Sequence, residues 1–319
     1  MSQLGKSNLN LNLNLNLGAA NPAADGGAGS RINTQEFRKL AEPTAFPFRA
    51  KPAMSGLLDP GEDVRKKYPE AWKGVALPER TGAPVDERRI KYRKFWDGEL
   101  QAYVYLNEFV TGNPEWLPTI TAVVAPLEQE LRAHIDQELV AVIDAAPERE
   151  SRFAEIMQQH TAEGAISYWH GMLMLDPSYA PATCLLIRVA RRVGELVGMC
   201  LKDHFRFPRP SQVCPAIVPM VDPPAHPSFP SGHSLQSHLM SRVLKDVRGD
   251  LPQANELLDA LAERVTLNRT IAGLHYLKDN KAGEAAAEAV YRMLTRPQKG
   301  GGPLFRKLVE DAKGELYTN

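Results

Sequence analysis

The sequence predicts an all-α protein, a bundle of helices preceded by an irregular N-terminal arm. From Asp86 almost to the end, apolar residues recur at three- and four-residue spacing, the period of an amphipathic helix. No strand ladder is visible in the pattern of apolar and polar residues. No internal repeat of about 20 to 50 residues is visible either, which excludes the common solenoids and propellers.

Composition divides the chain into three parts. Residues 1–33 combine a low-complexity Asn/Leu alternation with small residues and predict a disordered tail. Residues 34–88, rich in proline, glycine and charge, predict the irregular arm. Residues 89–319 predict a single helical domain, which carries every candidate site residue and is therefore the expected catalytic domain.

The clearest helical pattern covers Tyr179–Asp203, whose apolar residues share one face and which must end before Pro208. The proline-rich segment 207–230 then predicts a rigid, extended loop. The remaining helical patterns are Arg89–Val110, Leu117–Ala146 with a kink or break at Pro126, Pro147–Met174 with an interruption near Gly164, Ser231–Val247, Leu251–Leu274 and Asp279–Thr295.

Charge and apolar content exclude several function classes. Acidic and basic residues balance at 38 each, so nucleic acid is not an expected partner. No apolar run reaches the length of a membrane span, and the Asn/Leu tract interrupts any signal-peptide core. Three unevenly spaced cysteines fit neither a disulfide framework nor a zinc motif. We therefore expect a soluble, cytoplasmic protein, with the periplasm as the alternative and a homo-oligomer left open.

Two short segments could together bind an oxyanion. Lys202 and Arg209 lie seven residues apart where a helix gives way to a proline-fixed loop, a junction that can turn both cations inward. Ser231 is a suitable helix N-cap, and Gly232 lets a ligand approach the free backbone N–H groups of that helix start. His233, in the first turn, can hand a proton to a leaving oxygen.

The third segment joins Arg269, His275 and Asp279 at a predicted helix end. An arginine can clamp two oxygens of an anion. The aspartate can accept a hydrogen bond from one imidazole nitrogen and so leave the other nitrogen free as a nucleophile or a ligand. Each of the three segments also has a purely structural interpretation, a capped or salt-bridged helix end.

Taken in order, the three segments read Lys-x6-Arg-Pro, Pro-Ser-Gly-His and Arg-x5-His-x3-Asp. This closely resembles the signature of the type 2 phosphatidic acid phosphatase and vanadium haloperoxidase superfamily. The match spans 202–279 and departs from the usual pattern at Asn268, where a serine is common. The resemblance implies a helical bundle of the acid phosphatase and haloperoxidase type.

The resemblance also implies a role for each matching residue. His275 is expected to attack phosphorus, or to bind vanadium axially, while Asp279 orients it. His233 is expected to act as general acid and then as base, besides contacting the anion. The groups expected to bind the phosphate or vanadate oxygens are Lys202, Arg209, Arg269, the Ser231 hydroxyl and the Gly232 amide.

Two enzyme classes share such a site. We expect a phosphoric monoester hydrolase acting on a small phosphorylated molecule through a phosphohistidine, with no cofactor and no divalent metal. The alternative is a haloperoxidase that uses vanadate, hydrogen peroxide, a halide and an organic acceptor. His226 lies seven residues before His233, as does a second histidine in bromide-oxidising members, and is expected to support the site from behind. A non-catalytic phosphate-binding protein is the third possibility.

Overall fold

The computed structural model describes residues 96–248, 252–296 and 302–316. Within these ranges every regular element is a helix, which confirms the all-α prediction. The predicted tail and arm and the boundaries at 33 and 88 lie outside the described residues. The helix predicted over Arg89–Val110 begins only at Gly98, because Trp96 and Asp97 are not helical and the Asp97 side chain caps the helix by accepting the Glu99 N–H at 2.8 Å. The helices are α1 Gly98–Gly112, α2 Trp116–Ala133, α3 Ile135–Ala145, α4 Arg149–Gln159, α5 Ala162–Met172, α6 Pro181–Phe205, α7 Pro210–Val213, α8 Gly232–Arg248, α9 Pro252–Ile271, α10 Leu277–Thr295 and α11 Pro303–Leu316, with a 3-10 turn Ala146–Glu148 between α3 and α4.

Of the two predicted helix interruptions, the one at Pro126 was wrong and the one near Gly164 is confirmed to within a few residues. Helix α2 continues through Pro126, because a proline removes one N–H from the ladder while the surrounding turns retain theirs. The break lies at His134, whose backbone is not helical (φ −124°, ψ 30°). The second interruption lies before Gly164, since the Thr161 side chain caps α5 by accepting the Gly164 N–H at 3.1 Å.

Helix α8 lies at the centre of the bundle and packs against α6, α9 and α10. Leu235, Leu239, Val243 and Val247 recur every four residues along it and are fully buried. Burying each such side chain stabilises the fold by roughly 1.5–3 kcal/mol. The first turn of α8, where His233 lies, therefore belongs to a helix anchored in the core of the bundle.

Helix α10 approaches the start of α8 closely at Gly283. A Cβ atom at Gly283 would lie 2.6 Å from the carbonyl oxygen of Ser231 and 2.9 Å from the backbone nitrogen of Leu235. The Ser231 N–H also donates to the carbonyl oxygen of Asp279 at 2.9 Å. This backbone contact brings the beginnings of the two helices together, and with them the second and third motifs.

The end of α9 is a tight turn built on Gly273. The Gly273 N–H donates to the Thr270 carbonyl at 2.9 Å and the Leu274 N–H to the Arg269 carbonyl at 3.0 Å, the pattern of a Schellman cap. Gly273 has φ +78°, a left-handed conformation that glycine adopts without strain. The turn reverses the chain between Arg269 and His275, so both side chains can reach one site.

The proline-rich segment 207–230 is an ordered loop that contains the short helix α7. A backbone hydrogen bond from the Met220 N–H to the Ala272 carbonyl ties the loop to the bundle, and one from the Ser228 N–H to the Phe207 carbonyl joins the two ends of the loop to each other. The loop thus lies over the end of α9. None of the helices in the described ranges combines the length and the apolar character that a bilayer crossing requires.

Candidate active site

The three motifs surround one cavity of about 190 Å³. It lies where the end of α6, the starts of α8 and α10, the end of α9 and the proline-rich loop meet. Two predicted site residues, Ser231 and Asp279, lie behind its wall rather than on it. The predicted residues that line the cavity are Lys202, Arg209, His226, Gly232, His233, Arg269 and His275.

Three cations of this site are almost completely withdrawn from solvent. Lys202 and Arg209 are each 2% exposed and Arg269 is fully buried. Burial, and then the charge of Arg209, lowers the pKa of Lys202 to about 7. Burial lowers the pKa of Arg209 and of Arg269 to about 10. Such a concentration of buried positive charge is unfavourable by itself and favours an anion in the cavity.

Two of the three guanidinium nitrogens of Arg269 have no hydrogen-bond partner among the described residues. Its Nη2 donates to the Ile156 carbonyl at 3.4 Å and to Oε1 of Gln159 at 3.3 Å. Its Nε and Nη1 are buried and have no hydrogen-bond partner among the described residues. Leaving one buried donor without a partner costs about 1–3 kcal/mol. Oxygens of a bound anion are acceptors that could satisfy these groups.

The ammonium group of Lys202 is directed to the loop. Its Nζ donates to the carbonyl oxygens of Pro227, Ser228 and Pro230 at 2.9, 2.6 and 2.6 Å, which engages all three of its hydrogens. Lys202 therefore fixes the backbone that leads into Ser231. Lys202 therefore has no hydrogen left for the direct hydrogen bond to an anion that the sequence predicted. It can act on a bound anion only through its positive charge.

His275 is held in one tautomer by Asp279. Its Nδ1 lies 2.8 Å from Oδ2 of Asp279, and since an ionised carboxylate only accepts, Nδ1 carries the proton. The other nitrogen, Nε2, keeps its lone pair and lies 3.5 Å from Nη1 of Arg209. Burial, and then the charges of Lys202 and Arg209, hold the pKa of His275 well below its usual value. The ring is neutral at pH 7 and its Nε2 is a nucleophile or a ligand.

Ser228, which the sequence analysis did not select, shares the same carboxylate oxygen. Its Oγ donates to Oδ2 of Asp279 at 2.5 Å, and the Tyr276 N–H donates to it at 3.2 Å. Burial raises the pKa of Asp279 to about 6, against the opposing effect of the Ser228 hydrogen bond and the Lys202 charge. Asp279 is thus ionised above about pH 6 and can orient His275 there.

His233 presents one nitrogen for proton transfer. Its Nε2 lies 2.9 Å from the carbonyl oxygen of Gln159, an acceptor, so Nε2 carries a proton and Nδ1 is the remaining nitrogen. Burial, and then the charge of Arg269, lowers the pKa of His233 to about 3. His233 is therefore neutral at pH 7 unless a bound anion stabilises its protonated form.

Gln159 connects His233 to Arg269 and was also missed. It is fully buried at the end of α4, and its Oε1 accepts from Nδ2 of Asn268 at 2.9 Å as well as from Arg269. Asn268, the departure from the usual signature, therefore orients Gln159. The next residue, His160, is exposed and also lines the cavity. No local pattern could reveal Gln159, because His233 and Arg269 are more than 70 positions away from it.

The remaining predicted residues have distinct positions. His226 lines the cavity with its Nδ1 3.2 Å from Nη2 of Arg209, and its carbonyl oxygen accepts from Arg209 Nε at 3.2 Å. Ser231 caps α8 by accepting the Ser234 N–H at 3.4 Å, as its N-cap interpretation requires. Gly232 faces the cavity, and no described atom lies within 4 Å of where its Cβ would stand.

Comparison with known proteins adds little to this geometry. No family model matches the sequence, and no curated protein matches it. Among solved structures, the chain is similar to the crystal structure of the first transmembrane PAP2 type phosphatidylglycerolphosphate phosphatase from Bacillus subtilis. The match has 16% identity and a TM-score of 0.41, and covers 56% of this chain and 92% of that chain. A likeness this distant carries no argument about function, which has to be inferred from the site itself.

Proposed function

We propose that the chain is a phosphoric monoester hydrolase that transfers the phosphoryl group to His275 and then to water, without a divalent metal. The observation that carries the proposal is the neutral His275, which lines the cavity, whose Nδ1–H is held by Asp279 and whose unprotonated Nε2 lies 3.5 Å from Nη1 of Arg209. Three buried cations, Lys202, Arg209 and Arg269, line the same cavity and can neutralise the charge of a phosphoryl group. The motif resemblance points to the same chemistry.

Binding is the first step. The phosphoryl oxygens receive the Nε and Nη1 hydrogens of Arg269, which have no partner among the described residues, and the positive charge of Arg209 and Lys202. Negative charge develops on these oxygens in a trigonal-bipyramidal transition state. Each donor aimed at that charge contributes about 3 kcal/mol to its stabilisation, because the site is buried and preorganised.

Transfer to the enzyme is the second step. His275 Nε2 forms a bond to phosphorus while the bond from phosphorus to the alcohol oxygen breaks. His233 donates its Nδ1 proton to that oxygen, so the alcohol leaves neutral. The negative charge of the bound phosphate raises the pKa of His233, so the ring takes up from solvent the proton that the transfer consumes.

Hydrolysis is the third step. A water oxygen attacks phosphorus, the phosphorus–nitrogen bond breaks, and the electron pair returns to Nε2 of His275. His233, now neutral, takes one proton of that water on Nδ1. Asp279 accepts from Nδ1 of His275 throughout, and this stabilises the positive charge of the phosphorylated ring. The sum is the conversion of a phosphomonoester and water to an alcohol and inorganic phosphate.

The test is turnover of p-nitrophenyl phosphate in a buffer that contains a strong chelator of divalent ions. The wild type is expected to release nitrophenol, and His275→Ala is expected to be inactive. His204→Ala changes an exposed histidine away from the cavity and is expected to retain activity. Acid-labile, base-stable phosphate retained on quenched wild-type protein would identify the phosphohistidine. Equal rates in wild type and His275→Ala would refute the proposal.

A haloperoxidase is the second candidate, and His226 favours it. This histidine contacts Arg209 on the cavity wall, at the sequence position expected for bromide-oxidising members. The residues also fit vanadate, since the unprotonated Nε2 of His275 could bind the metal and Arg269 has two donors without a partner among the described residues. Bound vanadate would supply activation of hydrogen peroxide, while Arg209 and Arg269 would neutralise its oxygens and His233 would hold a proton beside it.

Bromination of monochlorodimedone after reconstitution with orthovanadate distinguishes the two candidates. Bromination that requires vanadate, together with no phosphate release, would favour the haloperoxidase. Phosphate release without bromination at any vanadate level would favour the hydrolase. Saturable phosphate binding with neither activity would indicate the third possibility, a non-catalytic phosphate-binding protein.

A further inference from the structure

A second cluster of functional side chains lies outside the cavity. His238 of α8, Glu263 of α9 and Glu284 of α10 each offer one ligand atom, and these atoms all lie within 4.8 Å of one another. None of the three residues lines the cavity. Each comes from a different helix, so the cluster is a product of the tertiary fold and not of a local acidic run.

His238 is the residue that points to a ligand. It is only 8% exposed, and its Nε2 is buried with no hydrogen-bond partner among the described residues. A buried ring nitrogen left without a partner costs about 1–3 kcal/mol. Burial lowers the pKa of His238, although the charges of Glu284 and Glu263 act to raise it. Histidine binds metal ions through an unprotonated ring nitrogen.

The charges around the cluster favour a cation. The two carboxylates lie close together and repel each other, and a cation between them removes that repulsion. Lys281 forms an ion pair with Glu284 at 3.0 Å and offsets part of the negative charge. Arg242, the other cation near His238, is engaged with Glu288 at 2.6 Å. Of the two nearby basic residues, only Lys281 is paired with a carboxylate of the cluster, Glu284, so the cluster keeps a net negative charge.

We propose that His238, Glu263 and Glu284 bind one divalent transition-metal ion and that this ion links α8, α9 and α10. Zinc binds both imidazole nitrogen and carboxylate oxygen, and water can complete its coordination. Calcium and magnesium prefer oxygen ligands alone and fit less well.

The position of this site gives the ion a structural role. The three linked helices are those that carry His233, Arg269 and Asp279. His238 follows His233 by five residues, Glu263 precedes Arg269 by six, and Glu284 follows Asp279 by five. An ion that fixes the three helices to one another one to two turns away therefore also fixes the relative positions of the three motifs, without contacting the reacting atoms.

The experiment is titration of ZnCl₂ into full-length protein that has been stripped with a chelator and dialysed. Isothermal titration calorimetry and elemental analysis are expected to give one equivalent per chain, and thermal unfolding is expected to shift upward. Glu263→Gln and Glu284→Gln are expected to weaken zinc binding at least about tenfold and to lose the thermal shift. Glu256→Gln, the same change at an exposed position of α9, is expected to bind as wild type does.

The choice of variants separates loss of the metal site from loss of folding and from binding in the cavity. Because His238 is buried, His238→Ala could fail to fold, and Glu263→Gln, at an exposed position, keeps the proposal testable without it. His275→Ala is expected to retain zinc binding, since the site is separate from the cavity. Absence of one-to-one binding in the wild type, unchanged binding in both glutamine variants, or loss of binding only in His275→Ala would overturn the proposal.

Discussion

At the scale of single residues, the chemistry depends on how one carboxylate oxygen is shared. Oδ2 of Asp279 receives hydrogen bonds from Ser228 and from the backbone of Tyr276, and lies 2.8 Å from His275 Nδ1. These donors stabilise the ionised carboxylate, whereas its burial favours the neutral acid. Only the ionised form can hold the Nδ1–H tautomer of His275. The nucleophile is therefore available above the pKa of Asp279 and is lost as the pH falls through it.

Ser228→Ala is expected to raise the pKa of Asp279 above its value of about 6, because it removes a donor that favours the charged form. As the solution is acidified, the activity of the variant should therefore begin to fall at a higher pH than that of the wild type. The acidic limb of the kcat/KM profile for p-nitrophenyl phosphate is expected to move up by about one pH unit, the equivalent of one hydrogen bond. Ser178→Ala removes a similar bond to the exposed Asp176 and should leave the profile unchanged. An unshifted acidic limb in Ser228→Ala would contradict this account.

Binding of an anion should be accompanied by proton uptake. Burial and neighbouring cations lower the pKa of Lys202 to about 7 and that of His233 to about 3. A dianion among these groups raises both values, so the complex holds more protons than the free protein, and affinity rises as pH falls. Sulfate is a suitable probe because it does not titrate itself. Its affinity, measured by calorimetry, is expected to increase up to about tenfold per pH unit for each proton taken up between about pH 8 and 6. A flat affinity would exclude the linkage.

At the scale of secondary structure elements, the end of α9 decides where His275 lies. Gly273 closes the Schellman turn at φ +78°, and a Cβ there would lie 2.7 Å from Nη2 of Arg149 and 3.3 Å from Cα of Pro219. The same Arg149 donates from Nε to the Ile271 carbonyl at 2.7 Å and from Nη1 to the Val218 carbonyl at 2.8 Å. The turn, the arginine and the loop therefore form one interlocked unit.

Gly273→Ala is expected to lower the free energy of unfolding by about 1–3 kcal/mol, because a non-glycine residue at positive φ is strained and its Cβ meets Arg149. Sulfate affinity should also fall, since His275 follows two residues later. Gly171→Ala is the matched control: no described atom lies within 4 Å of its Cβ, and in a helix alanine is favoured by about 1 kcal/mol. Urea unfolding of both variants measures the difference, and equal stabilities would be inconsistent with a required left-handed turn.

The sequence was sufficient to predict the helices and the three motifs because both are local. Periodicity identified α6, α8 and α10 to within a few residues. Pro126 predicted a kink or a break because proline disrupts helices, whereas packing of Ile120, Val124 and Leu131 keeps α2 continuous. Ser228 and Gln159 could not be predicted, since Ser228 acts through Asp279, 51 positions away, and Gln159 acts through Arg269, 110 positions away. The orientation of Lys202 toward the loop is likewise a tertiary property.

At the scale of the whole molecule, the fold buries mutually repelling positive charges at the candidate active site. Lys202, Arg209 and Arg269 are buried near one another, and two donors of Arg269 have no partner among the described residues. Such an arrangement reduces the free energy of unfolding in exchange for anion affinity. An anion that binds only the folded state returns that stability, by about 2.7 kcal/mol at a concentration 100 times its Kd.

Arg269→Met tests this trade directly. Removing the buried guanidinium relieves both the charge repulsion and the unsatisfied donors, so the variant is expected to unfold at the same temperature as the wild type or higher in anion-free buffer. Addition of orthovanadate should raise the Tm of the wild type and leave that of the variant nearly unchanged. Arg292→Met, which removes an exposed arginine paired with Glu288, should respond to vanadate as the wild type does. A variant less stable than wild type without anion, yet equally stabilised by vanadate, would show that Arg269 is a structural residue and that the anion binds elsewhere.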